Sequence, residues 1–168
     1  RNERVYLRPV AQAGGTWRKL GAGFDGSVRI GFWSEDGKRI YFNEGIRSGT
    51  QLLALSTDSG RVTQLTHEKA ALSASQDDES KTILVNCSDP VTPANIYAVT
   101  SVETIGNRKT WRQLTDSNPQ VKGVALGETE TVEWKSSDGR MVEGILVKPV
   151  GYEKGRRYAL IVQIHGGP

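Results

Sequence analysis

Apolar residues along most of this chain occur in short stretches separated by turn-forming Asp, Gly and Ser. Three stretches, residues 5–7, 52–55 and 96–99, recur at intervals of about 45 residues, and each precedes a polar turn and a second short strand. No stretch shows the 3.6-residue period of an amphipathic helix. The pattern therefore predicts a mainly β protein built from repeated units.

The second strands of these units share a common ending. They read Trp17-Arg18-Lys19-Leu20-Gly21, Val62-Thr63-Gln64-Leu65-Thr66 and Trp111-Arg112-Gln113-Leu114-Thr115. A period in the forties with several short strands per unit is typical of β-propeller blades. Residues 1–118 are therefore predicted to form a partial β-propeller of about two and a half blades, whose open edges are covered by missing blades or by another chain.

The pattern changes after residue 118. Residues 119–130 show no further blade signal and are predicted to cross between domains. Alternation then predicts a hairpin, with strands in residues 131–135 and 141–149, and a loop leads to the aliphatic residues 160–164. Such a run is typical of a strand buried on both faces, which predicts the beginning of a second, α/β domain in residues 131–168.

The predicted buried strand runs into His165-Gly166-Gly167-Pro168. The carboxyl ends of sheet strands are where α/β enzymes place their chemistry. Glycines let a substrate approach the backbone closely, so that an N–H can point at a developing oxyanion. An ordinary strand-to-loop turn explains the same residues, because Gly and Pro dominate turns of every kind.

The remaining candidate residues have structural explanations. Cys87 lies in an apolar run and is predicted to be a buried thiol, and His67 is predicted to be a loop residue. The acidic residues 77–79 are predicted to form an exposed turn. No cofactor-binding motif or metal site is predicted.

The charge and hydropathy of the chain argue against binding to nucleic acid and against a membrane span. The formal net charge is +3, but Lys and Arg are scattered, which argues against nucleic-acid binding. No apolar run is long enough for a membrane span, so we expect a soluble protein that is cytoplasmic, periplasmic or secreted, and the sequence does not decide between these compartments.

The order of these features resembles a known junction. Propeller repeats, Val132-Glu133-Trp134-Lys135-Ser136-Ser137-Asp138-Gly139, Glu143-Gly144-Ile145-Leu146-Val147-Lys148-Pro149 and the terminal His-Gly-Gly-Pro resemble the propeller-to-hydrolase junction of the prolyl oligopeptidase family, in its acylaminoacyl-peptidase and dipeptidyl-peptidase-like branch. The resemblance implies a partial β-propeller followed by the first strands of an α/β-hydrolase domain. It also implies a serine peptidase for short peptides, with Gly166 and Gly167 supplying one oxyanion-hole donor and His165 supporting the loop.

The chain departs from this family in one respect. It contains no Gly-x-Ser-x-Gly nucleophile elbow, and His67 and His165 are its only histidines. None of the catalytic triad is therefore identified, and the chain alone is predicted to be inactive. The alternative is a non-catalytic propeller that binds a partner or acts as a scaffold. Residues 131–168 favour the peptidase, because a binding propeller does not need a hydrolase hairpin after its last blade.

Overall fold

A computed structural model describes residues 2–11, 14–164 and 166, and the fold is mainly β, as predicted. The helical segments of these residues are short 3₁₀ helices, at Val102–Thr104, Arg108–Thr110 and Pro119–Gly123. None of the described helices is long and apolar enough to cross a membrane. The strands are Val5–Leu7 (β1), Arg18–Leu20 (β2), Phe32–Trp33 (β3), Arg39–Ile46 (β4), Gly49–Ser56 (β5), Val62–Gln64 (β6), Ala71–Gln76 (β7), Ile83–Asp89 (β8), Thr92–Val99 (β9), Arg112–Gln113 (β10), Thr129–Lys135 (β11) and Met141–Val147 (β12).

Two consecutive units of four antiparallel strands form the centre of the fold. The first unit is β3 to β6 and the second unit is β7 to β10, and each strand pairs with the next one in sequence. A single parallel pair, Thr50 with Ala71, joins the two units. The hairpin β1–β2 precedes them. This repetition of four-stranded meanders is consistent with the propeller prediction, and the number of blades stays a prediction.

The first unit is buried on both faces. Ile40 and Phe42 of β4 pack with the β1–β2 hairpin, in a cluster that includes Val5 and Leu20. Tyr41, between them in sequence, points to the opposite face and packs with the second unit. Because side chains alternate along a strand, a run of apolar residues serves both faces at once.

The second unit is buried mainly on the face toward the first unit. Leu72 and Ala74 of β7 are buried, whereas the intervening Ser73 and Ser75 are exposed. This alternation is typical of an antiparallel sheet with one face on the core and one in water. The predicted cover for open blade faces and edges, a missing blade or another chain, stays a prediction.

A recurring hydrogen-bond pattern explains the shared Gln-Leu-Thr ending of the two units. Thr66 Oγ1 accepts a hydrogen bond from Leu52 N–H at 3.0 Å and donates one to Gln51 Oε1 at 2.8 Å. In the second unit, Thr115 Oγ1 accepts from Ile96 N–H at 2.9 Å and bonds Asn95 Oδ1 at 3.0 Å. The threonine thus ties the outermost strand of each unit to the neighbouring strand, and the two units are structural repeats.

The two threonines form a matched pair for a stability test. Thr66 is fully buried and Thr115 is exposed. Thr66→Val should lower the free energy of unfolding by about 1–3 kcal/mol, because valine has a similar shape but leaves the buried Leu52 N–H without its acceptor. Thr115→Val should cost less, since water can replace the lost hydroxyl. Urea unfolding of both variants measures the difference, and equal losses would contradict this explanation.

The predicted second hairpin is formed by β11 and β12. Its register runs from Thr129 opposite Val147 to Lys135 opposite Met141. At its turn the Ser136 hydroxyl donates to the Asp138 carboxylate, and Gly139 has a φ of 84°, which favours glycine. This hydrogen bond holds the pKa of Asp138 below its usual value. The Ser-x-Asp-Gly sequence therefore fixes the hairpin through local contacts.

The predicted buried strand over residues 160–164 is wrong for this structure. These residues form no strand, and Ile161 and Ile164 have exposed fractions of 92% and 85%. A strand needs a neighbour for its backbone hydrogen bonds, and none of the described strands pairs with this segment. The apolar pattern identified residues suited to burial, but no described strand pairs with them.

Candidate functional site

Gly166 is the one residue of the predicted oxyanion loop that the structure describes. It is exposed, and a Cβ placed on it would meet no atom within 4 Å. His165 and Gly167, the other predicted loop residues, lie outside the described residues. Close approach of a substrate to this part of the backbone stays a prediction.

Within residues 2–11, 14–164 and 166, the structure pairs no serine, threonine or cysteine with a histidine base. His67 is exposed, and no described serine, threonine or cysteine side chain hydrogen-bonds to it. No group of three or more described His, Cys, Asp or Glu side chains is placed to hold a metal ion. The described residues thus contain no assembled triad and no candidate metal centre.

Cys87 is buried, as predicted, with an exposed fraction of 1%. Arg108 Nη1 lies 3.0 Å from Cys87 Sγ, and the guanidinium carbon lies 4.9 Å and 4.6 Å from the ring centroids of Tyr97 and Trp111. Arg108 is also 3.7 Å from Glu68. The arginine therefore packs against two neighbouring aromatic rings, whose centroids are 5.6 Å apart, while its charge is balanced by a carboxylate.

This arrangement is structural. Burial raises the pKa of the Cys87 thiol, although the hydrogen bond from Arg108 acts in the opposite direction. A raised pKa keeps the thiol protonated at neutral pH, and the protonated form is a poor nucleophile. No feature of the sequence marked Arg108, because its partners come from β8, β9 and the loop after β6 and meet only in the folded chain.

The acidic turn at residues 77–79 is exposed, as predicted. The Asp77 carboxylate accepts hydrogen bonds from the Ser80 backbone N–H and hydroxyl, both at 2.7 Å. The hydroxyl bond is the main cause of a lowered pKa for Asp77. These contacts stay within the turn, so the carboxylate stabilises the β7–β8 connection.

A polar surface groove of about 420 Å³ lies near the β3–β4 and β7–β8 turns. Its lining includes Asp36, Arg39, Lys81 and Glu103, and Arg39 is 4.0 Å from Glu103. The pKa of Asp36 is lowered, chiefly by a hydrogen bond from the Ser34 hydroxyl. The groove thus combines charges of both signs, of which Arg39 and Glu103 form an ion pair.

The sequence of this chain is similar to those of proteins that are named as peptidases. Over 154 residues, 90% of this chain, the sequence is 25% identical to dipeptidyl-peptidase 5 of Trichophyton tonsurans. Over 145 residues, 85% of the chain, it is 26% identical to the uncharacterized peptidase YuxL of Bacillus subtilis. The chain is thus similar, at low identity, to proteins named as a dipeptidyl-peptidase and a peptidase. No family model matches the chain.

Solved structures show the same fold. Dipeptidyl peptidase 4 of Porphyromonas gingivalis matches 84% of the chain and 20% of its own length, with a TM-score of 0.58 and 16% identity. The AtxE2 isopeptidase matches 74% of the chain and 18% of its own length, with a TM-score of 0.53 and 21% identity. The chain spans 21% of the length of the curated relatives named above.

Proposed function

We propose that this chain is part of a serine-type peptidase that hydrolyses short peptides. The main support is the order of its parts: two four-stranded repeats, then the β11–β12 hairpin, then the segment ending in His165-Gly166-Gly167-Pro168. The sequence similarity to dipeptidyl-peptidase 5 extends over 90% of the chain and so includes most of these parts. An independent binding propeller does not account for the hairpin that follows the repeats.

We further propose that the two parts of the chain have different roles in the complete enzyme. The repeats over residues 1–118 belong to a propeller that limits access to short peptides. Residues 119–130 cross to a hydrolase domain that begins at residue 131. In that domain the backbone around Gly166 and Gly167 supplies one donor of the oxyanion hole, where a fixed N–H stabilises charge that develops in the transition state. His165 supports this loop.

The chain alone should be catalytically inactive. It has no Gly-x-Ser-x-Gly sequence, so neither of its two histidines follows a plausible nucleophile and acid, as the Ser, Asp or Glu, His order of this fold requires. An oxyanion donor without a nucleophile and a base has little to stabilise. The catalytic residues of the proposed enzyme therefore lie on polypeptide beyond these 168 residues or on a companion chain.

Labelling with a serine-reactive fluorophosphonate, measured by intact mass, tests this proposal. We expect the 168-residue chain to take up no label. A longer polypeptide or assembly captured from native extract with an antibody against the chain should be labelled once and should hydrolyse dipeptidyl substrates. A labelled 168-residue chain would contradict the predicted inactivity. A captured assembly that takes up no label and cleaves no peptide would instead favour the non-catalytic binding module.

A further inference from the structure

The turn between β4 and β5 touches the β11–β12 hairpin. Arg47 Nη1 lies 2.9 Å from Glu133 Oε1, and the Ser48 and Thr131 hydroxyls lie 3.2 Å apart. The partners in these two contacts are separated by 86 and 83 residues of sequence. The tip of one tight turn in the first unit is therefore in side-chain contact with the hairpin.

The hairpin presents two like charges at this point. Glu133 and Glu143 are directly opposite each other in the β11–β12 register. Carboxylates in such a pair face the same side of the hairpin and repel one another. Arg47 Nη1 is close to both, at 2.9 Å from Glu133 and 3.9 Å from Glu143 Oε2. The guanidinium is thus the cation that offsets this repulsion.

Glu143 depends on this cation more than Glu133 does. Its side chain has an exposed fraction of 20%, against 43% for Glu133. Its Oε1 atom is buried and has no hydrogen-bond partner in the described part of the chain. A partly buried carboxylate without enough partners is destabilising unless a nearby charge compensates for it.

The backbone of the turn supports a specific role for the Arg47 side chain. Arg47 and Ser48 form a two-residue connection, because Ile46 pairs with Gly49. Arg47 has a φ of 55°, whereas Ser48 has no positive φ. In turns with this combination, type II′, the first central position ordinarily holds glycine. An arginine in this position accepts local backbone strain, which is typical of residues retained for their side-chain contacts.

We infer that Arg47 is an electrostatic latch that holds the β11–β12 hairpin against the first unit by neutralising Glu133 and Glu143. An exposed arginine and a single carboxylate would contribute little. Here one guanidinium lies next to two opposed carboxylates, of which one is mostly buried. Removal of the guanidinium therefore leaves two negative charges without a compensating cation. Because Arg47 and Glu133 face solvent, the latch should weaken as ionic strength rises.

Hydrogen exchange measured by mass spectrometry on the 168-residue chain tests the latch. Arg47→Gly relieves the strained φ at the turn and removes the cation, so β4 and β5 should stay protected while β11 and β12 exchange roughly fivefold faster. Lys81→Gly is the matched control, since Lys81 also has a positive φ, of 56°, and lies in the β7–β8 turn. This control should leave exchange in the hairpin unchanged.

Two further variants separate the charge from other effects of the substitution. Arg47→Lys restores a cation and should recover most of the hairpin protection. Glu143→Gln in the Arg47→Gly background removes one of the opposed charges and should recover part of it. Less than about a twofold change in hairpin exchange for Arg47→Gly relative to Lys81→Gly would overturn the proposal. Failure of both compensating variants to restore protection would also overturn it, as would an effect of Arg47→Gly that is independent of salt.

Discussion

Replacing Phe42 by alanine should lower the free energy of unfolding of this chain by about 3–5 kcal/mol. Phe42 has an exposed fraction of 0% and lies in the cluster between the β1–β2 hairpin and the first unit. Its ring meets that of Phe24 edge-on, with centroids 5.8 Å apart. The substitution removes the buried aromatic surface and leaves a cavity, and both effects are destabilising.

Urea unfolding measures this loss, and Tyr6→Ala provides the control. Tyr6 lies in β1 with an exposed fraction of 54%, so its truncation should change the stability by less than about 1 kcal/mol. If Phe42→Ala were as mild as Tyr6→Ala, the β1–β2 hairpin would not be packed on the first unit in solution. If Phe42→Ala lowered the stability of the β1–β2 hairpin but left that of β8 and β9 unchanged, the two parts would unfold separately.

The strands of the two units could be predicted because the pattern of apolar and polar residues that specifies a strand lies within the strand itself. In β4, for example, the consecutive apolar residues Ile40, Tyr41 and Phe42 alternate between two buried layers, as the geometry of a strand requires. The shared Gln-Leu-Thr ending was also visible in the sequence. The hydrogen bonds that explain this ending could not be predicted, because the partners of Thr66 are Gln51 and Leu52, which lie on a different strand.

The segment at residues 160–164 shows the limit of this approach. Its composition correctly identifies residues that favour burial, but it does not specify which sheet would bury them. Backbone pairing depends on a neighbouring strand, and the described strands supply none. An exposed apolar run of this kind is a site where a sheet or a partner surface could be added.

Contacts between distant parts of the chain were the least predictable. Arg108 and Arg47 were not identified from the sequence. The residues around a single arginine do not show whether its side chain is exposed or packed against other residues. Only the fold brings Arg108 against Tyr97 and Trp111, and Arg47 next to Glu133. Arg47 left a weak local signal, because a two-residue connection between strands ordinarily contains glycine or asparagine.

Removing a backbone donor from the proposed oxyanion loop should have the largest effect on activity. In the active polypeptide that contains this chain, Gly166→Pro or Gly167→Pro should lower kcat by about 10²–10³-fold, because proline has no N–H. KM for a dipeptidyl substrate should change little, since the interaction is made mainly in the transition state. Steady-state kinetics with a chromogenic dipeptide measures both constants.

Gly166→Ala is the matched control, because alanine keeps the N–H that proline removes. A Cβ at Gly166 would meet no atom within 4 Å, so the surrounding described residues leave space for the alanine methyl group. Unchanged kcat in both proline variants would mean that the loop supplies no donor. If Gly166→Ala were as damaging as Gly166→Pro, the absence of a side chain, rather than the N–H, would account for the effect at this position.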